Sequence, residues 1–251
     1  MTEETASLLS RLEDEYSRPG SKLAILDELT TRFDEGAIEE ADVREVAEKI
    51  LASPKSELNV LGLILSVRLD PDIHATAIQE QLSHALTNGS PGPMLDVLAR
   101  ELVHAHDEML QQSVRTDAES AARSGDRLRV GIAIEVLAAL ALAGDGTAVR
   151  PLAPLLDDPA EDIATAAAAA LGRCSRMEAF SALERVIAAG KGPLYEAAFD
   201  GLFHADQPDV IDALAEAFDR VGATGAKNAR KLRALPPRFR KRRRDDENLT
   251  R

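Results

Sequence analysis

The sequence predicts an all-α protein built from tandem helix pairs. Two observations carry this: a 31-residue echo in the C-terminal half and a composition that favours helix. Leu152, Leu183 and Leu214 are spaced by 31 residues, and so are Leu156, Ile187 and Phe218. A second register repeats with the same period through Ile132, Ile163 and Leu194, through Val136, Ala167 and Ala198, and through Leu140, Leu171 and Leu202. A fixed period of this size marks one supersecondary unit copied in tandem. Each copy is long enough for two short helices, so stacked copies give an α-solenoid. Alanine occurs 42 times and aromatic residues make up only 3% of the chain. Alanine has the highest helix propensity, and small side chains let helices approach closely. No β-branched run alternates with polar residues as a strand would.

The elements follow in order. Residues 3–16 predict an amphipathic helix with Leu8, Leu9 and Leu12 on one face, broken by Ser17-Arg18-Pro19-Gly20. Residues 21–35 predict the next, with Leu23, Leu26, Leu29 and Phe33 inward and Gly36 as its stop. Residues 39–52 carry the stripe Val43, Val46, Ile50 and Leu51. Residues 55–69 are apolar on most sides in their middle, the mark of a helix buried between layers. Pro71-Asp72 opens a helix that runs to Asn88. Residues 88–93, Asn-Gly-Ser-Pro-Gly-Pro, read as an inter-helix loop or a sub-boundary between domains. Residues 93–112 predict one long helix, residues 113–125 a weak polar one, and residues 127–143 a buried one.

Three repeats come next. Residues 147–157 predict a short helix, Asp157-Asp158-Pro159 a turn, and residues 160–173 its partner. The following pair is 176–189 and 193–205, split by Gly190-Lys191-Gly192-Pro193. A third begins at Pro208-Asp209, runs to Val221, and has a basic partner at 225–235. The expected organisation is a helical-repeat domain over 1–221 followed by a basic helix and tail over 222–251.

Charge is divided unevenly. Residues 1–226 carry a net charge of −21, and residues 227–251 carry +8. Only Lys22, Lys49, Lys55 and Lys191 are lysines within residues 1–226. An acidic, arginine-using surface suits a halophilic host, where salt screens self-repulsion, and it equally suits an ordinary bacterium with a GC-rich genome. The single cysteine, Cys174, excludes an intramolecular disulfide framework and fits a reducing cytoplasm. The acidic, amphipathic N-terminus does not read as a signal peptide. The longest apolar stretch, residues 130–143, is interrupted by Glu135 and too short to span a bilayer, so no membrane association is expected.

Candidate functional residues fall into three groups. The tail holds ten Lys/Arg and no acid over residues 227–244, among them Arg230, Lys231, Arg233, Arg238, Arg240, Lys241, Arg242, Arg243 and Arg244. Arginine forks pair with phosphates, so this tail reads as a nucleic-acid or ribosome contact, as a segment that folds back on the acidic body, or as a solubilising extension. Glu196, Asp200 and His204 sit at i, i+4 and i+8 and share one helix face. Such donors can ligate a divalent metal, but a solvated charged stripe explains them better, and no metal or cofactor is expected. Beside them, Tyr195, Phe199 and Phe203 form an aromatic stripe, read either as a partner groove or as gap filling between repeats. Asp96, Arg100, His104 and Glu108 make an i+4 ladder typical of an exposed helix face. Cys174 falls at a packed position and reads as a small buried hydrophobe. No nucleotide-binding glycine loop, zinc spacing or nucleophile elbow is present.

The run Val149-Arg150-Pro151-Leu152-Ala153-Pro154-Leu155-Leu156-Asp157-Asp158-Pro159, followed by Ala166-Ala167-Ala168-Ala169-Ala170-Leu171-Gly172, resembles HEAT-like repeats. The likeness is to the short form first described in phycobilin lyases, with a leucine-rich first helix, an Asp/Pro turn, and an Ala-Ala-x-Ala-Leu-Gly second helix. It covers residues 147–205 well, 127–143 and 206–235 more weakly, and is only architectural before residue 113. The resemblance implies a right-handed α-α superhelix of about five or six helix pairs. It also implies a family of scaffolds, adaptors, lyase subunits and DNA-repair glycosylases, since the motif is a packing signature and not a chemical one.

The leading expectation is a non-enzymatic scaffold or adaptor that binds another protein along the face lined by the second helices. Glu135, Thr165, Glu196 and Asp200 are the expected exposed positions there, with Tyr195 and Phe199 beside them. An acidic face selects a basic protein segment. The alternative is nucleic-acid binding through the tail. The third reading is a lyase or glycosylase, against which the absence of tryptophan and the acidic groove both count.

Overall fold

The computed structural model describes residues 3–13, 19–53, 55–174, 176–189, 191–203, 215–216, 219, 227 and 229–230. Among them every regular element is helical: α1 (Glu3–Glu13), α2 (Pro19–Asp34), α3 (Glu40–Leu51), α4 (Ser56–Leu69), α5 (Pro71–Asn88), α6 (Leu95–His104), α7 (Glu108–Ala122), α8 (Arg127–Ala143), α9 (Glu161–Arg173), α10 (Met177–Ala189) and α11 (Pro193–Phe203). Two short 3-10 helices, Gly146–Val149 and Ala153–Asp157, stand between α8 and α9.

The backbone divides into two compact units, one formed by Met1–Ala85 with Ser90–Val114, the other by Leu86–Gly89 with Arg115–Arg251. In the first unit α2 packs on α4 and α4 on α6, while α1 and α3 pack together on the side of α2 and α4. The expected stripes are mostly inside: Leu8, Leu9, Leu12, Leu26, Leu29, Val43, Val46 and Ile50 are buried, whereas Leu23, Phe33 and Leu51 are only half-buried. Every residue of α4 from Val60 to Val67 is buried, as its apolar middle demands. Gly62 lets α4 lie directly against the end of α3, since a Cβ there would stand 2.5 Å from the Leu51 nitrogen.

The second unit is likewise built of packed helices. Helices α8, α9 and α11 succeed one another in one layer, and α10 with the 3-10 turns packs against them. The 31-residue register is the core of this unit. Val136, Ala167 and Ala198 are each 0% exposed, and so are Leu140, Leu171 and Leu202. Leu152, Leu156, Leu183 and Ile187 in the other layer are buried as well, whereas Leu214 and Phe218 lie outside the described residues.

Two expectations fail. The single helix expected over 93–112 is two helices, and the weak helix expected at 113–125 is the continuation of the second. The chain turns at His106, which adopts a left-handed φ of 57°. Asp107 then starts α7, its Oδ1 accepting from the Met109 and Leu110 nitrogens at 3.0 Å each. The short α-helix expected over 147–157 is the pair of 3-10 helices. Pro151 and Pro154 lack the N–H an α-helix needs, and their rings clash with carbonyls one turn back. Residues 208–221 and 231–235 of the third expected repeat lie almost wholly outside the described residues.

Helices α9 and α11 meet backbone to backbone. A Cβ on Gly172 would overlap the Ala198 carbonyl oxygen, and one on Gly201 would overlap the Ala169 carbonyl oxygen. Within a helix, glycine to alanine normally stabilises by about 0.8–1.0 kcal/mol. Here Gly172→Ala should reverse that sign and cost about 1–3 kcal/mol, because the added methyl forces the helices apart. Urea titration of the variant checks the sign, and a gain in stability would show that the two helices are not in backbone contact.

Candidate functional site

The outward face of the second layer in the second unit is the candidate site. On α8, Glu135 is exposed, and Leu128 and Leu142 are 65% and 42% exposed. On α9, Thr165 is half-buried and its hydroxyl donates to the Glu161 carbonyl oxygen at 2.8 Å, while Ala166 next to it is exposed. On α11, Glu196 and Asp200 are exposed one turn apart. The sequence pattern therefore places Glu135, Glu196 and Asp200 in solvent as expected.

Tyr195 and Phe199 are placed differently. Both are buried, with ring centroids 4.7 Å apart and planes tilted by 37°. Their area is spent on packing α11 into its unit, so they support the face from behind and do not line it. This agrees with the gap-filling reading of the aromatic stripe. His204, the third member of the Glu196–Asp200–His204 set, lies outside the described residues, and no cluster of three or more metal-donor side chains occurs among the described ones.

The electrostatics of the face are uneven. Arg127 of α8 pairs with Asp162 of α9, which lowers the Asp162 pKa and raises that of Arg127, mainly through the shared hydrogen bond. Arg185 pairs with Asp157 and Arg115 with Asp145 elsewhere in the unit. The Glu196 and Asp200 carboxylates have no cationic partner among the described residues. Of the basic tail, Lys227 and Arg230 are described, helical and exposed, and Ala229 between them is 0% exposed. Lys231, Arg233, Arg238, Arg240, Lys241, Arg242, Arg243 and Arg244 lie outside the described residues.

Three further features were not visible as motifs. Arg176 closes the end of α8, its Nε and Nη2 donating to the Ala141 and Gly144 carbonyl oxygens at 3.1 and 2.7 Å. In the first unit Arg68 of α4 joins Asp27 of α2 and Glu101 of α6. That unit also holds an open groove of about 700 Å³ lined by Asn59, Glu80, Gln81, His84, Ser90 and Pro91 among others. The i+4 ladder beginning at Asp96 is real up to Arg100, which pairs with Asp96 at 2.9 Å. It stops at the break near His106, so Glu108 is on the next helix and does not belong to it.

Cys174 is buried, and its Sγ donates to the Ala170 carbonyl oxygen at 3.1 Å. Burial pushes its pKa up to about 11, against the weaker pull of Arg173 and Arg176. The thiol should therefore resist thiol-specific reagents at pH 8 until the chain unfolds. Between the unfolded value near 9 and about 11 the folded state holds this proton and the unfolded state does not. Stability is thus lost as pH rises through that window. Labelling of native protein as fast as that of urea-unfolded protein would show that the site is open.

No protein-family model matches the chain, and no curated protein matches its sequence. Among the described residues no helix is long and apolar enough to cross a membrane.

Proposed function

We propose that this chain is a HEAT-like solenoid acting as a non-enzymatic scaffold or adaptor, which binds a basic protein segment along the outward face of its second-layer helices. The observation that carries the reading is the exposure of Glu196 and Asp200, without cationic partners among the described residues, on a helix stacked in a 31-residue register. Stacked repeats offer a long surface without needing a pocket. Small residues such as Ala166 leave room along it for an extended segment. The test is binding of a labelled arginine-rich peptide to the full-length protein. Reversing Glu196 and Asp200 together to lysine should weaken binding about tenfold or more. The same change at Glu178 and Glu184, exposed on α10 in the other layer, should leave it nearly intact. Equal losses from both pairs would reduce the binding to general charge attraction and defeat the proposal.

A second reading is nucleic-acid or ribosome contact through the tail, favoured by the +8 charge of residues 227–251 beside a −21 body. Binding by this route would fall steeply with salt as counterions are released. It would vanish when the six Lys/Arg residues from Arg238 to Arg244 are changed to serine.

A further inference from the structure

The second unit holds a cleft whose charge runs against that of the body. It encloses about 540 Å³ between the C-terminal half of α7 and the start of α8, lined by Thr116, Glu119, Ser120, Arg123, Ser124 and Arg129. Most described arginines pair with a carboxylate, as Arg100 does with Asp96 and Arg115 with Asp145. Arg129 does not. Its Nε donates to the Leu86 carbonyl oxygen at 3.0 Å, while Nη1 and Nη2 have no partner among the described residues. The side chain is half-buried, and its stem lies close against Gly89, where an added Cβ would stand 3.2 Å from Arg129 Cγ. A guanidinium pinned to main chain through Nε keeps its two remaining nitrogens as a fixed fork, the geometry that an oxyanion fills bidentately.

The rest of the cleft suits the same occupant. Ser120 is exposed, and its hydroxyl makes no hydrogen bond among the described residues. Arg123 is held by Glu119 at 3.3 Å, but both side chains reach solvent, so this pair is weak and yields to a stronger acceptor. The carbonyls that end α7 are already occupied: that of Ser120 accepts from the Arg123 nitrogen, and that of Ala121 from the Ser124 nitrogen and hydroxyl. An anion in the cleft therefore does not meet their bare lone pairs. We propose that this cleft binds the phosphate group of a small phosphomonoester. Arg129 is its fixed anchor, Ser120 its hydroxyl donor, and Arg123 is recruited from Glu119. The net −21 of residues 1–226 repels a polyanion, which favours a single phosphate on a small body over a nucleic-acid strand. The site uses neither Glu196 nor Asp200 and stands apart from the scaffold reading.

The test is isothermal titration of the full-length protein at low salt with inorganic phosphate, free O-phosphoserine and a short mixed RNA. Phosphate and O-phosphoserine should bind, and unphosphorylated serine should not. Ser120→Asp sets a carboxylate in the cleft at an exposed position and should weaken both ligands by about tenfold or more. Arg129→Met should do the same, as expected for loss of a charge-assisted hydrogen bond. Glu119→Gln should tighten both by about threefold through release of Arg123, a gain that misfolding cannot produce. Glu108→Gln, the same charge change at the start of α7, should leave the affinities unaltered. No heat up to about 10 mM phosphate overturns the site. Binding that survives both Ser120→Asp and Arg129→Met also overturns it, since the anion is then held elsewhere. RNA binding that Ser120→Asp abolishes, with neither small probe bound, overturns the small-ligand assignment in favour of a nucleic-acid contact.

Discussion

Replacing Arg68 with methionine should cost about 3–5 kcal/mol, the usual consequence of stranding one partner of a buried ion pair. Arg68 donates from Nη2 and Nε to Oε1 of Glu101 at 2.6 and 3.0 Å, and from Nη1 to Oδ1 of Asp27 at 2.7 Å. The Glu101 side chain is only 7% exposed. Burial opposes the charge on Arg68, yet the hydrogen bonds and charges of Glu101 and Asp27 outweigh it and raise its pKa further. Methionine fills much of the same volume but leaves the Glu101 carboxylate in the interior without its cation. The double variant Arg68→Met/Glu101→Leu should recover most of the loss, since matched apolar groups often replace a buried pair at little cost. Chemical denaturation of the single and double variants checks both statements. A single-variant loss below about 1 kcal/mol would place the trio among ordinary surface pairs.

Leu171→Ala should cost about 2–5 kcal/mol, the range for truncating a fully buried leucine. Leu171 is 0% exposed on α9, the middle of the three stacked helices α8, α9 and α11. Its register partners Leu140 and Leu202 are equally buried, so the cavity would open in the core shared by α8, α9 and α11. The loss is read from the denaturation midpoint. A change under about 0.5 kcal/mol, typical of surface substitutions, would break the assigned register.

Where the repeat was legible and where it was not follows from how each contact is encoded. The ends of α5 and α8 fall at the residues the sequence marks, Pro71 and Asn88 for one, residues 127 and 143 for the other. Periodic apolar positions and turn residues act locally, so they can be read along the chain. The break at His106 is not legible in the sequence because a histidine carries the left-handed turn where a glycine would advertise it. The available signal was Asp107 as an N-cap residue. The 3-10 turns are signalled by Pro151 and Pro154, but the leucine spacing alone resembles an α-helix and hides them. The burial of Tyr195 and Phe199 was undecidable from spacing, since a core stripe and a groove stripe have the same period. Arg68, Asp27 and Glu101 are 41 and 33 residues apart, and the echo that aligns the C-terminal helices is not seen in that part of the chain.

The paired glycines of α9 and α11 make the repeat unequal in its mechanics. Gly172 and Gly201 are 29 residues apart and are not copies of one another. Their equivalents one repeat earlier are Ala141 and Ala170, both buried, so α8 and α9 have methyl groups at those positions. Sequence periodicity therefore does not extend to stiffness. A joint closed by main chain on both sides has no side chains that can rotate out of the way, and its two helices open together or not at all. The joint between α8 and α9, held apart by the methyl groups of Ala141 and Ala170, can give by small sliding movements. Strain applied along this unit would collect on the α8 side, while α9 and α11 travel as one rigid block.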